Sequence, residues 1–320
     1  MSYHFLLDLA LILLSTKILG LAAQKFQMPQ VVGALIAGLI LSPAGLGLLS
    51  ETEFTKQLSE LGVIVLMFSA GMGTDIKELK NSGKAGFMVA LLGVVVPFLM
   101  GTALAWGADE LGLIESTGFI ENIFIGTILT ATSVSITVET LKEMKKLETK
   151  VGNTILAAAL IDDVLGLIAL TLVCSLAGGD ESIGMVLLKI AGFFVFAFAV
   201  GFAANRVFCW MLQRQHGWAS HRNSVFAFVL CLVMAYCAEE FFGVADITGA
   251  YAAGLAVACT PKGTYIQTKY NPLGYLLLTP VFFASIGINV QITGLTGGMV
   301  VFSILLLLVS IISKLLGCGL

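Results

Sequence analysis

Apolar residues in this chain come in long unbroken runs separated by short polar segments, rather than at the periods of half-buried strands or amphipathic helices. Runs of about 20 residues, enough to cross a hydrocarbon core as helix, fall near 3–23, 30–49, 58–76, 84–106, 120–141, 150–177, 182–210, 223–240, 244–260, 266–289 and 297–320. They predict an all-α polytopic membrane protein with eleven spans. The first run, "YHFLLDLALILLSTKILGLAA", is too long for a leader core and lacks a basic start, so it counts as a span rather than a cleaved signal.

Composition agrees with the pattern. Hydrophobic residues make up 58% and charged ones 12% of 320 residues, with a mean hydropathy of +0.99, a balance that no soluble core of this size can hide. Soluble enzymes are excluded, and no nucleophile–base pair, phosphate loop or nucleic-acid surface stands out in the polar segments. No enzymatic activity and no cofactor are expected. The six cysteines (Cys174, Cys209, Cys231, Cys237, Cys259, Cys318) lie in or beside apolar runs without metal-ligand spacing and read as packing residues. His4, His216 and His221 read as solvated or headgroup-level side chains.

The loops alternate in charge. Lys25, then Lys77, Lys80 and Lys84, then Lys142, Lys145, Lys146 and Lys150, then Arg206, Arg214 and Arg222, then Lys262 and Lys269 fall on one side of an eleven-span chain. Between them lie acidic loops with Glu51 and Glu53, Asp109, Glu110 and Glu115, Asp180 and Glu181, and Glu239 and Glu240. The positive-inside rule then puts the N-terminus outside. Of the remaining basic residues, Lys56 belongs to an outer loop, Lys17 and Lys189 can snorkel or face a neighbouring helix, and Lys314 sits deep in the last apolar run.

Two polar features interrupt the spans. "TILTATSVSITVETL" places Thr130, Thr132, Ser133, Ser135 and Thr137 in mid-span, where hydroxyl and β-branched side chains compete with helical bonding and favour an opened segment lining a cavity. In the next span Asp162 and Asp163 are adjacent. Ionised and unpaired, the two would cost about 5–7 kcal/mol together on insertion scales, so packing alone does not account for them. Adjacent helical residues project about 100° apart, which gives the two carboxylates different tasks: Asp163 facing the break at Thr132, Asp162 answering Lys314.

These residues resemble the bacterial sodium/proton antiporter branch of the monovalent cation:proton antiporter superfamily, which also contains the Kef-type potassium systems. The likeness is carried by "MPQVVGALIAGLILSPAGLGLL", "MFSAGMGTDIKELK", "TATSVSIT", "LIDDVLGLI" and "TPVFFASIGINV", in that order along the chain. It implies an inverted-repeat fold of about thirteen spans with a discontinuous helix. It also implies a scaffold for homodimerisation (about 1–76 and 223–289), a transport core (about 84–177 and 297–320) and a linker helix (about 182–210). Carried over by position, Asp163 is the ion- and proton-binding aspartate that takes Na+, Asp162 its neighbour in salt bridge with Lys314, and Thr132 a member of the opened segment with Thr130, Ser133 and Ser135.

The resemblance implies electrogenic exchange of Na+, with Li+ or K+ as lesser possibilities, for H+ by alternating access, in a bacterial cytoplasmic membrane. The alternatives are a K+/H+ antiporter of the Kef type and a non-transporting or channel-like, ion-responsive subunit; no nucleotide-binding domain of the Kef type accompanies the spans. Two departures stand out: Gly33 is followed by Ala34 where the family often has Glu, and Ser42 precedes Pro43 where it often has Gly. The family continues for two more spans, so the chain is expected to be a fragment carrying eleven of thirteen.

Overall fold

The computed structural model describes residues 3–74, 76–114, 118–176, 183–213, 220–260, 263–291 and 296–319. Of the loop residues counted above, Glu115, Asp180, Glu181, Arg214, His216 and Lys262 lie outside the described residues, as do the side chains of Lys77, Lys80, Cys209, His221 and Arg222.

The described residues form helices α1 (His4–Lys25), α2 (Gln30–Leu41), α3 (Glu53–Met72), α4 (Ile76–Glu110), α5 (Phe119–Thr130), α6 (Val134–Glu143), α7 (Lys150–Leu176), α8 (Ile183–Gln213), α9 (Ser220–Phe242), α10 (Asp246–Ala258), α11 (Gly263–Leu273), α12 (Thr279–Ile288) and α13 (Gly297–Gly319), with a π-helical turn at Gly274–Leu278 between α11 and α12. Every expected span carries helix. Among the described residues eight helical stretches are long and apolar enough to cross a membrane. On α8, Phe194, Val195, Phe198 and Phe202 are all exposed, an outward apolar stripe that suits lipid rather than water.

Three spans are shorter or more polar than their apolar runs suggested. α2 has 12 residues, about 18 Å of helix, because Ser42 precedes Pro43 and is extended, with ψ 166°. α10 has 13 residues; Gly243 just before it has φ +60° and closes α9, letting Val244 N–H reach the Ala238 carbonyl at 2.9 Å. α3 carries Glu53, Lys56 and Glu60 in its first half. The run at 266–289 is not one α-helix. Pro280 lacks the N–H that would bond the Leu276 carbonyl, and Thr279 N–H bonds back five residues to the Gly274 carbonyl, the π pattern.

The chain forms two compact units: Met1–Ile76, Ser135–Glu148 and Phe193–Ile292 make one, and Lys77–Val134, Thr149–Gly192 and Thr293–Leu320 the other. In the first, a core of Ile12, Leu41, Leu49, Val281, Ala284 and Ile288 is buried. Its helices meet backbone to backbone: a Cβ on Gly71 would overlap the Tyr251 carbonyl, and one on Gly254 the Phe68 carbonyl, so α3 and α10 touch with no side chain between them. Gly38 and Gly287 do the same for α2 and α12. Where lipid removes the hydrophobic drive for helix association, such small-residue contacts supply the packing. The buried Tyr251 hydroxyl is 3.0 Å from Thr74 Oγ1, fastening α10 to the end of α3. Glu143 of α6 accepts the Gln30 N–H at 2.8 Å and 3.0 Å, placing a carboxylate on the first turn of α2.

In the second unit α13 packs on α4, with Gly317 against the Leu92 carbonyl, and α5 crosses α4 where Gly126 meets Thr102 and the Phe98 carbonyl.

Candidate functional site

Within the second unit α5 stops at Thr130, and Ala131 turns extended, with φ −61° and ψ 127°. Residues 131–133 are non-helical before α6 starts at Val134. The last four carbonyls of a helix have no helical partner, and in hydrocarbon each must find another. Here Thr127 O accepts the Thr130 hydroxyl at 2.7 Å, Ile128 O accepts Ala131 N–H at 3.3 Å, and Thr130 O accepts Lys314 Nζ at 2.7 Å. The hydroxyl-rich sequence therefore closes its own break, with one lysine supplied from α13.

Lys314 is the hub. Its ammonium donates to the Gly93 carbonyl at 2.9 Å, to the Thr130 carbonyl at 2.7 Å and to Thr132 Oγ1 at 2.6 Å. An ammonium has three N–H donors, and all three are spent. Asp162, expected to pair with Lys314, feels the lysine charge, and Thr132, which accepts from Lys314, lies beside the same carboxylate. With two donors on main-chain carbonyls and the third on the Thr132 hydroxyl, none is left over for a carboxylate.

Asp162 is buried at 6% exposure, and its Oδ1 has no hydrogen-bond partner. Asp163 is half-buried, and its Oδ2 also lacks a partner. The pairing with Thr132 thus differs from the expectation: the residue facing the break is Asp162, while Asp163 keeps a bare carboxylate oxygen. Of the remaining segment residues, Thr130 is buried, Ser133 is exposed, and Ser135 is buried in the first turn of α6, which belongs to the other unit. Two adjacent carboxylates with unmatched oxygens thus lie next to an opened helix and a half-buried ammonium, and carboxylate oxygens are what hard cations and protons both take. Among the described residues no group of three or more His, Cys, Asp or Glu side chains has metal-holding geometry.

Residues 10–320 match the family described as sodium/hydrogen exchanger, transmembrane. The chain belongs to that family. Among the exchanger's relatives are the Na(+)/H(+)-K(+) antiporter GerN of Bacillus cereus, 36% identical over all of this chain and 80% of its own length, and the probable Na(+)/H(+) antiporter GerT of the same organism, 38% identical over 99% and 82%. The Na(+)/H(+) antiporter of Enterococcus hirae is 36% identical over 98% of this chain and 80% of its own. The solved structure of the sodium proton antiporter MjNhaP1 from Methanocaldococcus jannaschii at pH 8 superposes with a TM-score of 0.66 at 17% identity, covering 97% of this chain and 76% of that one. The exchanger is a multi-pass membrane protein with an antiporter fold.

Sequence reasoning passed over three parts of the exchanger. The Gly93 and Thr130 acceptors of Lys314 are main-chain groups, which no side-chain pattern reveals. Glu139 lies inside the fifth apolar run and is 4% exposed with Oε2 unpartnered; an ionisable residue inside a span is a functional signal by itself, here obscured by the hydroxyl run beside it. Lys17 was expected to snorkel or face a neighbour, and it faces one: its Nζ donates to the Tyr275 hydroxyl at 3.2 Å. Lys189 is exposed on α8. Of the described cysteines, Cys231 is buried, whereas Cys174, Cys259 and Cys318 are exposed and free, so packing explains only part of the set.

Proposed function

We propose that this exchanger carries out secondary antiport of a monovalent cation, Na+ first, against H+ by alternating access. The observation that carries the reading is the pair of unmatched carboxylate oxygens, Asp162 Oδ1 and Asp163 Oδ2, beside a helix break whose Thr130 carbonyl and Thr132 hydroxyl are held by Lys314. A cation needs oxygen ligands and a negative charge; a proton needs the same carboxylate. Asp163, whose oxygen is bare, is the carrier: it releases a proton as the cation arrives and takes one up as the cation leaves. No bond other than O–H is made or broken, so the process needs no enzymatic chemistry. A second proton, carried by the pair of Asp162 and Lys314, gives two protons for each cation, which makes exchange electrogenic.

The names of the relatives in Bacillus cereus and Enterococcus hirae support Na+ and H+ as the exchanged ions. K+ enters as a second cation because the GerN relative is named for it as well, while Li+ is the closest chemical substitute for Na+. The charge alternation of the loops supports an N-terminus outside a bacterial cytoplasmic membrane, and the family resemblance supports a homodimer built on the spans near 1–76 and 223–289. The deciding experiment is Na+-driven proton flux in everted vesicles: wild type exchanges, and Asp163→Asn does not. Persistent cation-dependent flux in Asp163→Asn would remove Asp163 from its role.

A further inference from the structure

A second carboxylate feature lies wholly within the first unit. α1, α2, α6, the π-helical turn and α12 line a half-open cavity of about 290 Å³ whose polar lining is Thr16, Lys17, Gln30, Glu139, Glu143, Tyr275 and Thr279. Apolar side chains such as Val31, Leu276 and Phe283 make up the rest of its wall. Two independent observations mark it as more than a packing defect. Glu139 is 4% exposed, and its Oε2 has no partner, a cost that a merely structural site would be expected to relieve. Tyr275 and Leu276 enter from a π-helical turn, a distortion frequent at functional positions.

Charge counting selects the occupant. Both Glu143 oxygens are taken by the Gln30 N–H. Lys17, the one basic side chain on the described lining, is exposed; its ammonium donates to the Tyr275 hydroxyl at 3.2 Å and lies 5.3 Å from the centre of that ring. Lys142 and Glu143, on the same helix as Glu139, act on it with opposite signs. That leaves one uncommitted carboxylate among neutral oxygens, those of Thr16, Gln30, Tyr275 and Thr279. One negative charge with hydroxyl and amide oxygens suits a single monovalent cation; a divalent ion would demand more carboxylates.

We propose that Glu139 holds one monovalent cation in this cavity, at a staging site built from residues other than Asp162 and Asp163. The identity of the ion, Na+, rests on the antiport reading; the site itself rests on the cavity and on Glu139.

The test uses purified full-length chain and 22Na+ alone. In Asp163→Asn, where exchange is lost, saturable 22Na+ binding should remain, and it should disappear in Asp163→Asn/Glu139→Gln. In vesicles, Glu139→Gln alone should raise the KM for Na+ about tenfold, the size of one lost charge-assisted contact, with turnover at saturating Na+ retained, a split that general misfolding does not produce. Glu139→Asp, which keeps the charge, should keep part of the binding and covers the case in which the glutamine variant does not fold. Absence of 22Na+ binding in Asp163→Asn, or equal binding with and without Glu139, overturns the proposal. Failure of wild type to exchange would instead overturn the antiport reading, leaving the binding result to stand by itself.

Discussion

The Lys314 ammonium and the Thr132 hydroxyl are 2.6 Å apart, and the same threonine turns its N–H and hydroxyl toward Asp162. A single side chain therefore stands between a half-buried cation and a buried anion. Thr132→Ala removes the relay and leaves both charges less compensated, while Thr132→Ser keeps the hydroxyl. The expected outcome in vesicle flux assays is a fall of about tenfold or more for alanine, the effect of about 1.4 kcal/mol, and near-normal exchange for serine. Equal activity of the two would show that the hydroxyl is dispensable.

Lys314→Met deletes hydrogen bonds to Gly93 O, Thr130 O and Thr132 Oγ1 at once. Because the methionine leaves freed carbonyls and an unbalanced carboxylate in low dielectric, the cost should be about 2–4 kcal/mol. Thermal unfolding in detergent should register a clear drop in midpoint. Arginine at this position should not restore it fully, since a planar fork cannot replace three donors radiating from one nitrogen.

Asp162→Asn should leave cation–proton exchange running, because the bare oxygen of Asp163 remains, but it alters the charge carried per cycle. The check is reconstitution in proteoliposomes with an imposed membrane potential. Wild-type exchange should respond to the potential, and the variant should respond differently; identical responses would separate Asp162 from the electrogenic step.

Gly254→Val places carbon where the Phe68 carbonyl already sits, and neither backbone can yield because Gly71 meets Tyr251 in the same crossing. Overpacking against backbone costs more than the 1–3 kcal/mol typical of core side chains, so little monodisperse protein should survive size-exclusion chromatography. Gly107→Ala on α4 is the matched control: an added Cβ there meets nothing within 4 Å, and the yield should hold or rise slightly with the gain in helix propensity.

Much of this fold is legible in the sequence because a bilayer imposes one dominant rule, an apolar run of fixed length for each span, and the eleven runs all carry helix. The break at 131–133 is legible for a related reason: hydroxyl residues in mid-span compete with helical bonding, and the structure shows Thr130 doing so against Thr127 O. What the runs do not encode is where a helix stops for backbone reasons. α2 ends at Ser42, ahead of Pro43, and the 266–289 run turns π-helical near Pro280; both prolines were visible but were outvoted by hydropathy. The site was half legible. Charged residues inside apolar runs identified Asp162, Asp163 and Lys314, but opposite charge suggested a direct ion pair, whereas geometry gives the lysine to two carbonyls and a hydroxyl. Glu139 carried the same signal and was missed because polar neighbours blurred it.

The bonds from Lys314 reach back 221 residues to Gly93 and 184 to Thr130. Since chains enter the membrane in order of synthesis, α4 and α5 are inserted long before α13 exists. In the interval the broken end of α5 has its Thr130 carbonyl unclaimed and Asp162 lacks its nearest cation, so an early intermediate must shelter both with water, lipid headgroups or an insertion partner. The lysine thus gives the nascent protein a completion signal: the transport site is only assembled once a late helix has docked, and a chain stalled before α13 carries an unfinished polar seam in the membrane.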